Sequence, residues 1–143
     1  KKYNCKIVCP EDVIVSQNIE GNGKNKNINE INKDEMILDI GPKSIFAIKN
    51  IINDSNTVLW NGPAGYFENP NFQNGTREIL EAISNKTIND KIFSVAGGGE
   101  TVAAINKFKK LESFTFVSTA GGAFLEYLEG KTLPGIKALN QNV

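Results

Sequence analysis

Apolar residues in this chain fall into short runs, and the spacing within those runs changes from one segment to the next. Val13-Ile14-Val15 and Met36-Ile37-Leu38-Asp39-Ile40 have the length and β-branched content of strands, as does Cys5-Lys6-Ile7-Val8-Cys9 ahead of them. From Ser44 to Ile52 the spacing turns helical, with Ile45, Ile48, Ile51 and Ile52 as the apolar stripe. Thr57-Val58-Leu59-Trp60 is a strand again, and a second helix opens at Gly75-Thr76 with Ile79, Leu80 and Ile83 on one face. Ile92-Phe93-Ser94-Val95 follows as a strand, Thr101 to Phe108 as a helix, and Phe114-Thr115-Phe116-Val117 as a strand. Ala123 to Leu128 is the last helix, ahead of Leu133-Pro134-Gly135. Short, continuously apolar strands separated by helices predict a parallel sheet covered on both faces. The expected fold class is therefore α/β, a doubly wound, Rossmann-like parallel sheet. The polar stretch from Glu20 to Asn27 reads as an exposed loop, and no repeat or linker divides the chain.

Ligands of open parallel sheets bind beyond the carboxyl ends of the strands. Here three successive strands hand over to glycine-rich turns: Asn61-Gly62-Pro63-Ala64-Gly65-Tyr66-Phe67-Glu68, Ala96-Gly97-Gly98-Gly99-Glu100-Thr101 and Ser118-Thr119-Ala120-Gly121-Gly122-Ala123. Two of them lead straight into a helix, whose unpaired N–H groups and dipole favour an anion. One such turn serves equally as a tight connection. Three on one sheet edge point to a polyphosphate. The G-x-x-x-x-G-K-[ST] pattern is absent, and Gly97-Gly98-Gly99-Glu100-Thr101 is followed by Val102 where a dinucleotide fingerprint needs a small residue.

Composition removes several alternatives. The 143 residues, 40% hydrophobic and 22% charged, suit a single globular domain. Sixteen basic residues balance sixteen acidic ones, so no basic surface for nucleic acid is expected. No apolar run nears the roughly 20 residues that cross a bilayer, and a soluble, cytoplasmic protein is expected. Histidine is absent, which excludes Ser-His and Cys-His nucleophile pairs within the chain. Cys5 and Cys9 alone make a poor zinc site and are expected as buried or half-buried small side chains.

The three turns and their flanks closely resemble phosphoglycerate kinases. The resemblance rests on Thr57 to Glu68, Ala96 to Ala104 and Ser118 to Glu126, together with Leu38-Asp39-Ile40-Gly41-Pro42-Lys43-Ser44 and Leu128-Glu129-Gly130-Lys131-Thr132-Leu133-Pro134-Gly135. It extends over nearly the whole chain and is weakest in the Asn-rich stretch after Ile19. It implies reversible phosphoryl transfer between ATP and 3-phosphoglycerate, with Mg²⁺, between two domains that close on each other. Such chemistry needs positioning and charge stabilisation more than acid–base catalysis, which suits a chain without histidine.

Carried over residue by residue, the resemblance implies that Asn61 hydrogen-bonds nucleotide phosphates. Gly62 shares that loop, Pro63, Gly65 and Tyr66 line the nucleoside site, and Glu68 accepts from the ribose hydroxyls or is simply a solvated carboxylate. Trp60 packs beneath the loop. Gly97, Gly98 and Gly99 offer backbone N–H groups to phosphate oxygens. Glu100 stands where the family usually has Asp, as a ligand of the Mg²⁺, either directly or through water; otherwise it only complements the helix dipole. Thr101 bonds a phosphate oxygen or caps its helix. Gly121 and Gly122 direct N–H groups at the phosphoryl group in transit. Ala120 and Phe124 replace a glycine and a serine common in the family, which rules out a hydroxyl role at Phe124.

The resemblance covers the final third of such a kinase. It implies that residues 1–143 are the C-terminal part of the nucleotide-binding domain, lacking the N-terminal domain and the lysines that carry phosphate charge; Arg77 is the single arginine. The expected partners are ATP or ADP, 3-phosphoglycerate and that N-terminal domain, in an enzyme monomeric at full length and inactive as this piece. The competing reading is a nucleotide-binding or association module without catalysis.

Overall fold

The computed structural model describes residues 5–140. Strand β1 (Asp12–Ser16) is the middle of an antiparallel sheet, flanked by β2 (Lys24–Asn27) and β3 (Met36–Ile40). Helix α1 (Pro42–Asn53) leads to β4 (Thr57–Trp60), and α2 (Asn74–Asp90) connects it to β5 (Phe93–Gly97). Helix α3 (Gly99–Lys107) then leads to β6 (Phe116–Ser118), followed by α4 (Gly122–Leu128) and α5 (Pro134–Asn140). Strands β4, β5 and β6 form a parallel sheet in sequence order.

The α/β class and the parallel sheet match the expectation, but the cover expected on both faces of that sheet is present on one among the described residues. Val58 and Trp60 of β4, Ala96 of β5 and Val117 of β6 meet Ile79, Leu80 and Ile83 of α2 and Ala104 and Ile105 of α3 in one core. Trp60 is 7% exposed and stacks on Phe114 with ring centroids 6.1 Å apart, so it packs under its loop as expected. Successive crossovers of a sheet running in one direction lie on one face. The opposite face carries Leu59, Phe93 and Phe116, which are 42%, 53% and 56% exposed. The strand pairs Leu59 with Val95 and Val95 with Phe116, which aligns these side chains on that face.

Three local expectations need correction. Residues 5–9 form no strand, and Cys5 and Cys9 are exposed rather than buried. Their β-branched content expresses only a local preference, and a strand also needs a neighbour to pair with. Lys24–Asn27, expected as loop, pairs with β1 in register Asp12 with Asn27 through Val15 with Lys24. It is exposed, as expected, but backbone pairing on a lysine-bearing edge needs no apolar side chain. The helical stripe of α1 also narrows, since Ile45 and Ile52 are buried while Ile51 is 41% exposed.

Helix α1 begins at Gly41, which offers no capping side chain, and Pro42 occupies the first turn where a missing N–H costs nothing. Asp12 supplies the cap from β1. Its carboxylate accepts from the Lys43 amide at 3.1 Å and from the Ser44 amide and hydroxyl, each at 2.8 Å. This bond set joins the antiparallel sheet to the helical layer.

Candidate functional site

The loop after β4 is shaped by side chains that reach it from α2 and α3. Gly62, at φ +110°, donates its N–H to Thr101 Oγ1 at 2.7 Å. The amides of Ala64 and Gly65 both donate to Thr76 Oγ1, at 3.1 and 3.2 Å. Tyr66 N–H then donates to the Leu38 carbonyl at 2.8 Å, tying the loop to β3. Thr76 and Thr101 are buried, so neither hydroxyl is exchanged for solvent.

Gly65 is glycine because the place of a Cβ is taken: one would sit within contact-forbidden range of Asp39 and the Phe72 carbonyl. Asp39 is 1% exposed and accepts from the amides of Gly75 and Ile40, each at 2.8 Å. Burial raises its pKa, against the pull of those amides and that of Asn74.

The second and third turns touch each other. Gly98 has φ +95° and ψ 145°, and donates its N–H to the Ser118 carbonyl at 3.1 Å. A Cβ added at Gly121 would stand 2.9 Å from the Gly98 Cα, so the turns approach too closely for any side chain there. The Asn61 side-chain oxygen lies at the junction, 3.3 to 3.5 Å from where Cβ atoms of Gly97, Gly98 and Gly121 would be.

Together the three turns enclose an open cleft of about 370 Å³. It is lined by Asn61, Gly62, Pro63, Gly97, Gly98, Gly99, Glu100, Thr101, Gly121, Gly122 and Leu125. All but Leu125 were expected from the sequence. Leu125 sits on α4 three residues past Gly122, the helical spacing that returns to the cleft face, and this was the signal available for it. Gly65, Tyr66 and Glu68 do not line the cleft; they lie further along the same loop, with Tyr66 and Glu68 exposed.

The amides available to a ligand are fewer than the glycine count suggests. The Gly98 N–H, expected to face phosphate, is used on Ser118, and the Thr101 hydroxyl turns to Gly62 instead of capping its own helix. Within α3 the first intrahelical bond is from Val102 to the Gly98 carbonyl, and within α4 from Leu125 to the Gly121 carbonyl. Helix geometry therefore leaves Gly99, Glu100 and Thr101, and Gly122, Ala123 and Phe124, as the unpaired amides. Gly99 and Gly122 have no atom within 4 Å of a Cβ position and no positive φ. Nothing among the described residues calls for glycine at either place.

Glu100 is the single charged residue lining the cleft, and no lysine or arginine does. A carboxylate beside an anion is repulsive unless a cation lies between them. Among the described residues no group of three acidic, histidine or cysteine side chains could hold a metal alone. The donor set thus suits a hard cation that arrives with its own oxygen ligands.

A parallel α/β sheet with glycine turns gathered at two helix N-termini is an arrangement whose unpaired amides favour an anion. The comparisons narrow that reading. A family model described as phosphoglycerate kinase matches residues 1–131. The chain is 48% identical over 141 residues to a phosphoglycerate kinase of Blochmanniella floridana, covering 97% of this chain and 34% of that protein. It is 47% identical over 146 residues to one from Orientia tsutsugamushi, covering 98% and 35%. The solved phosphoglycerate kinase of Coxiella burnetii superposes with TM-score 0.87 at 40% identity, over 99% of this chain and 36% of that one. The chain belongs to the phosphoglycerate kinase family and spans about a third of the length of these relatives.

Proposed function

We propose that this chain carries the nucleotide half-site of a phosphotransferase that moves a phosphoryl group reversibly between ATP and 3-phosphoglycerate, a step of glycolysis. Residues 1–143 are then the C-terminal part of the nucleotide-binding domain. The phosphoglycerate site and the cations for the phosphate charge belong to the rest of a cytoplasmic enzyme, monomeric at full length. The observation that carries this reading is the cleft where Gly99 and Gly122, without internal reason to be glycine, begin two helices with unpaired amides.

In this reading the amides at Gly99 and Glu100 receive phosphate oxygens of ADP or ATP, and Asn61 supplies a side-chain contact beside them. Gly121 and Gly122 face the phosphoryl group in transit, where amide dipoles stabilise its equatorial charge. Pro63 and Leu125 form an apolar wall, and Gly65, Tyr66 and Glu68 serve the nucleoside end. Gly62 and Thr101 shape the loop, while Gly97 and Gly98 allow the turns to meet. Mg²⁺ would be held by nucleotide phosphates, water and Glu100, and would supply charge neutralisation.

The reaction is balanced without a proton carrier. A carboxylate oxygen of 3-phosphoglycerate forms a bond to the γ-phosphorus as the bond to the ADP oxygen breaks, giving an acyl phosphate and ADP. No side chain need give or take a proton, consistent with a cleft that holds one carboxylate and no histidine. The absence of lysine and arginine from the cleft favours a second reading, nucleotide binding without catalysis, for the chain on its own.

Calorimetric titration with ADP, with and without Mg²⁺, tests the proposal. Saturable binding strengthened by Mg²⁺, with that gain abolished in Glu100→Ala, is expected. Binding indifferent to both Mg²⁺ and Glu100→Ala would refute the metal role, and no binding by folded protein would refute a self-sufficient half-site.

A further inference from the structure

Lys107 is a charged residue that the reading above leaves without a task. It ends α3, roughly 12 Å along the helix from the cleft, and takes part in no ion pair among the described residues. Its ammonium instead donates to two successive backbone carbonyls, those of Phe67 and Glu68, the second at 3.3 Å. It also stands 5.9 Å from the ring centroid of Phe67 and 5.8 Å from that of Phe108. Phe67 is only 5% exposed, so one face of this contact is fixed in the core.

A lysine side chain loses about 2 kcal/mol of rotamer freedom when held in one place. Two carbonyl acceptors and two ring faces converging on one ammonium offset that cost. The loop after β4 is therefore pinned at three points, by Thr101 at Gly62, by Thr76 at Ala64 and Gly65, and by Lys107 at Phe67 and Glu68. The first pin adjoins the cleft. The last governs the segment that ends in Glu68.

We infer that Lys107 is a positioning residue for the nucleoside end of the site, holding the Phe67–Glu68 backbone so that the Glu68 carboxylate is presented to the ribose hydroxyls. This rests on the nucleotide reading given above. It assigns to a residue outside the cleft a selective effect: the nucleoside contact depends on Lys107, and the phosphate contact does not.

The test compares the unaltered chain with Lys107→Met and Lys107→Arg, using ADP and inorganic tripolyphosphate as calorimetric probes with Mg²⁺ present. Amide hydrogen exchange at Tyr66, Phe67 and Asn69 is followed without ligand, because these amides bond within the pinned loop or to β3. Lys107→Met should weaken ADP about tenfold, or 1.4 kcal/mol, leave tripolyphosphate unchanged, and speed exchange at the three amides. Lys107→Arg, which keeps a cationic donor, should restore both. Equal losses for the two probes would overturn the inference in favour of a general structural role, and so would unchanged ADP affinity with unchanged exchange. If the unaltered chain binds neither probe, the self-sufficient half-site fails and the inference falls with it, whatever the exchange shows; binding of both probes without a selective loss of ADP in Lys107→Met overturns the inference alone.

Discussion

Asp12 caps a helix from thirty residues upstream, and its ionisation is tied to that task. Burial pushes its carboxyl up, but hydrogen bonds from the Ser44 amide and hydroxyl and from the Lys43 amide pull it further down, leaving it below the ordinary aspartate value. A carboxyl lowered in the folded state adds stability that is present above its unfolded pKa and lost as pH falls through its folded one. Ser44→Ala removes the hydroxyl donor and should cost about 1–3 kcal/mol at pH 7. The cost should shrink as pH falls below the ordinary aspartate range and through the lower folded pKa, where the carboxylate protonates. Urea unfolding of both proteins at pH 7 and pH 3 checks this, and a cost independent of pH would contradict it. Asp39 runs the other way: burial holds its carboxyl above the ordinary value, so its ionisation subtracts stability as pH rises through the folded pKa.

At the scale of elements, the site is made by strand ends rather than by any one side chain. Gly98 occupies a backbone region that is essentially reserved for glycine, and it abuts Gly121 from the next turn. Gly98→Ala should therefore cost about 1–3 kcal/mol from backbone strain, read as a lowered urea midpoint, whereas a tolerated alanine would show that this turn is not constrained. The glycine turns were legible in the sequence because each follows an apolar strand and two precede a helical stripe. The anchors were not. Thr76 and Lys107 act on a loop 11 to 40 residues away, and such bonds leave no periodic trace. The same limit explains β2: Lys-Asn-Lys-Asn carries no apolar alternation, and only its partner β1 makes it a strand. Cys5 to Cys9 had the composition of a strand and lacked the partner.

For the whole molecule, the two sheets divide the work. The antiparallel sheet braces the loop after β4 through the Leu38 carbonyl, which accepts from Tyr66, and holds the start of α2 through Asp39, while the parallel sheet brings its three carboxyl ends to one cleft. The exposed Leu59, Phe93 and Phe116 form an apolar face of that parallel sheet away from α2 and α3. Other hollows occur, one polar between α1 and α2 and one near Tyr127 to Ile136, but neither gathers paired helix N-termini. In the proposed function a nucleotide meets the protein through the amides that begin α3 and α4. Amide chemical shifts of isotope-labelled protein titrated with ADP and Mg²⁺ test it directly. The largest perturbations are expected at Gly99, Glu100, Gly122 and Ala123, with smaller ones from Asn61 to Glu68; perturbations centred on either of the other hollows, with those amides unmoved, would overturn the proposed site.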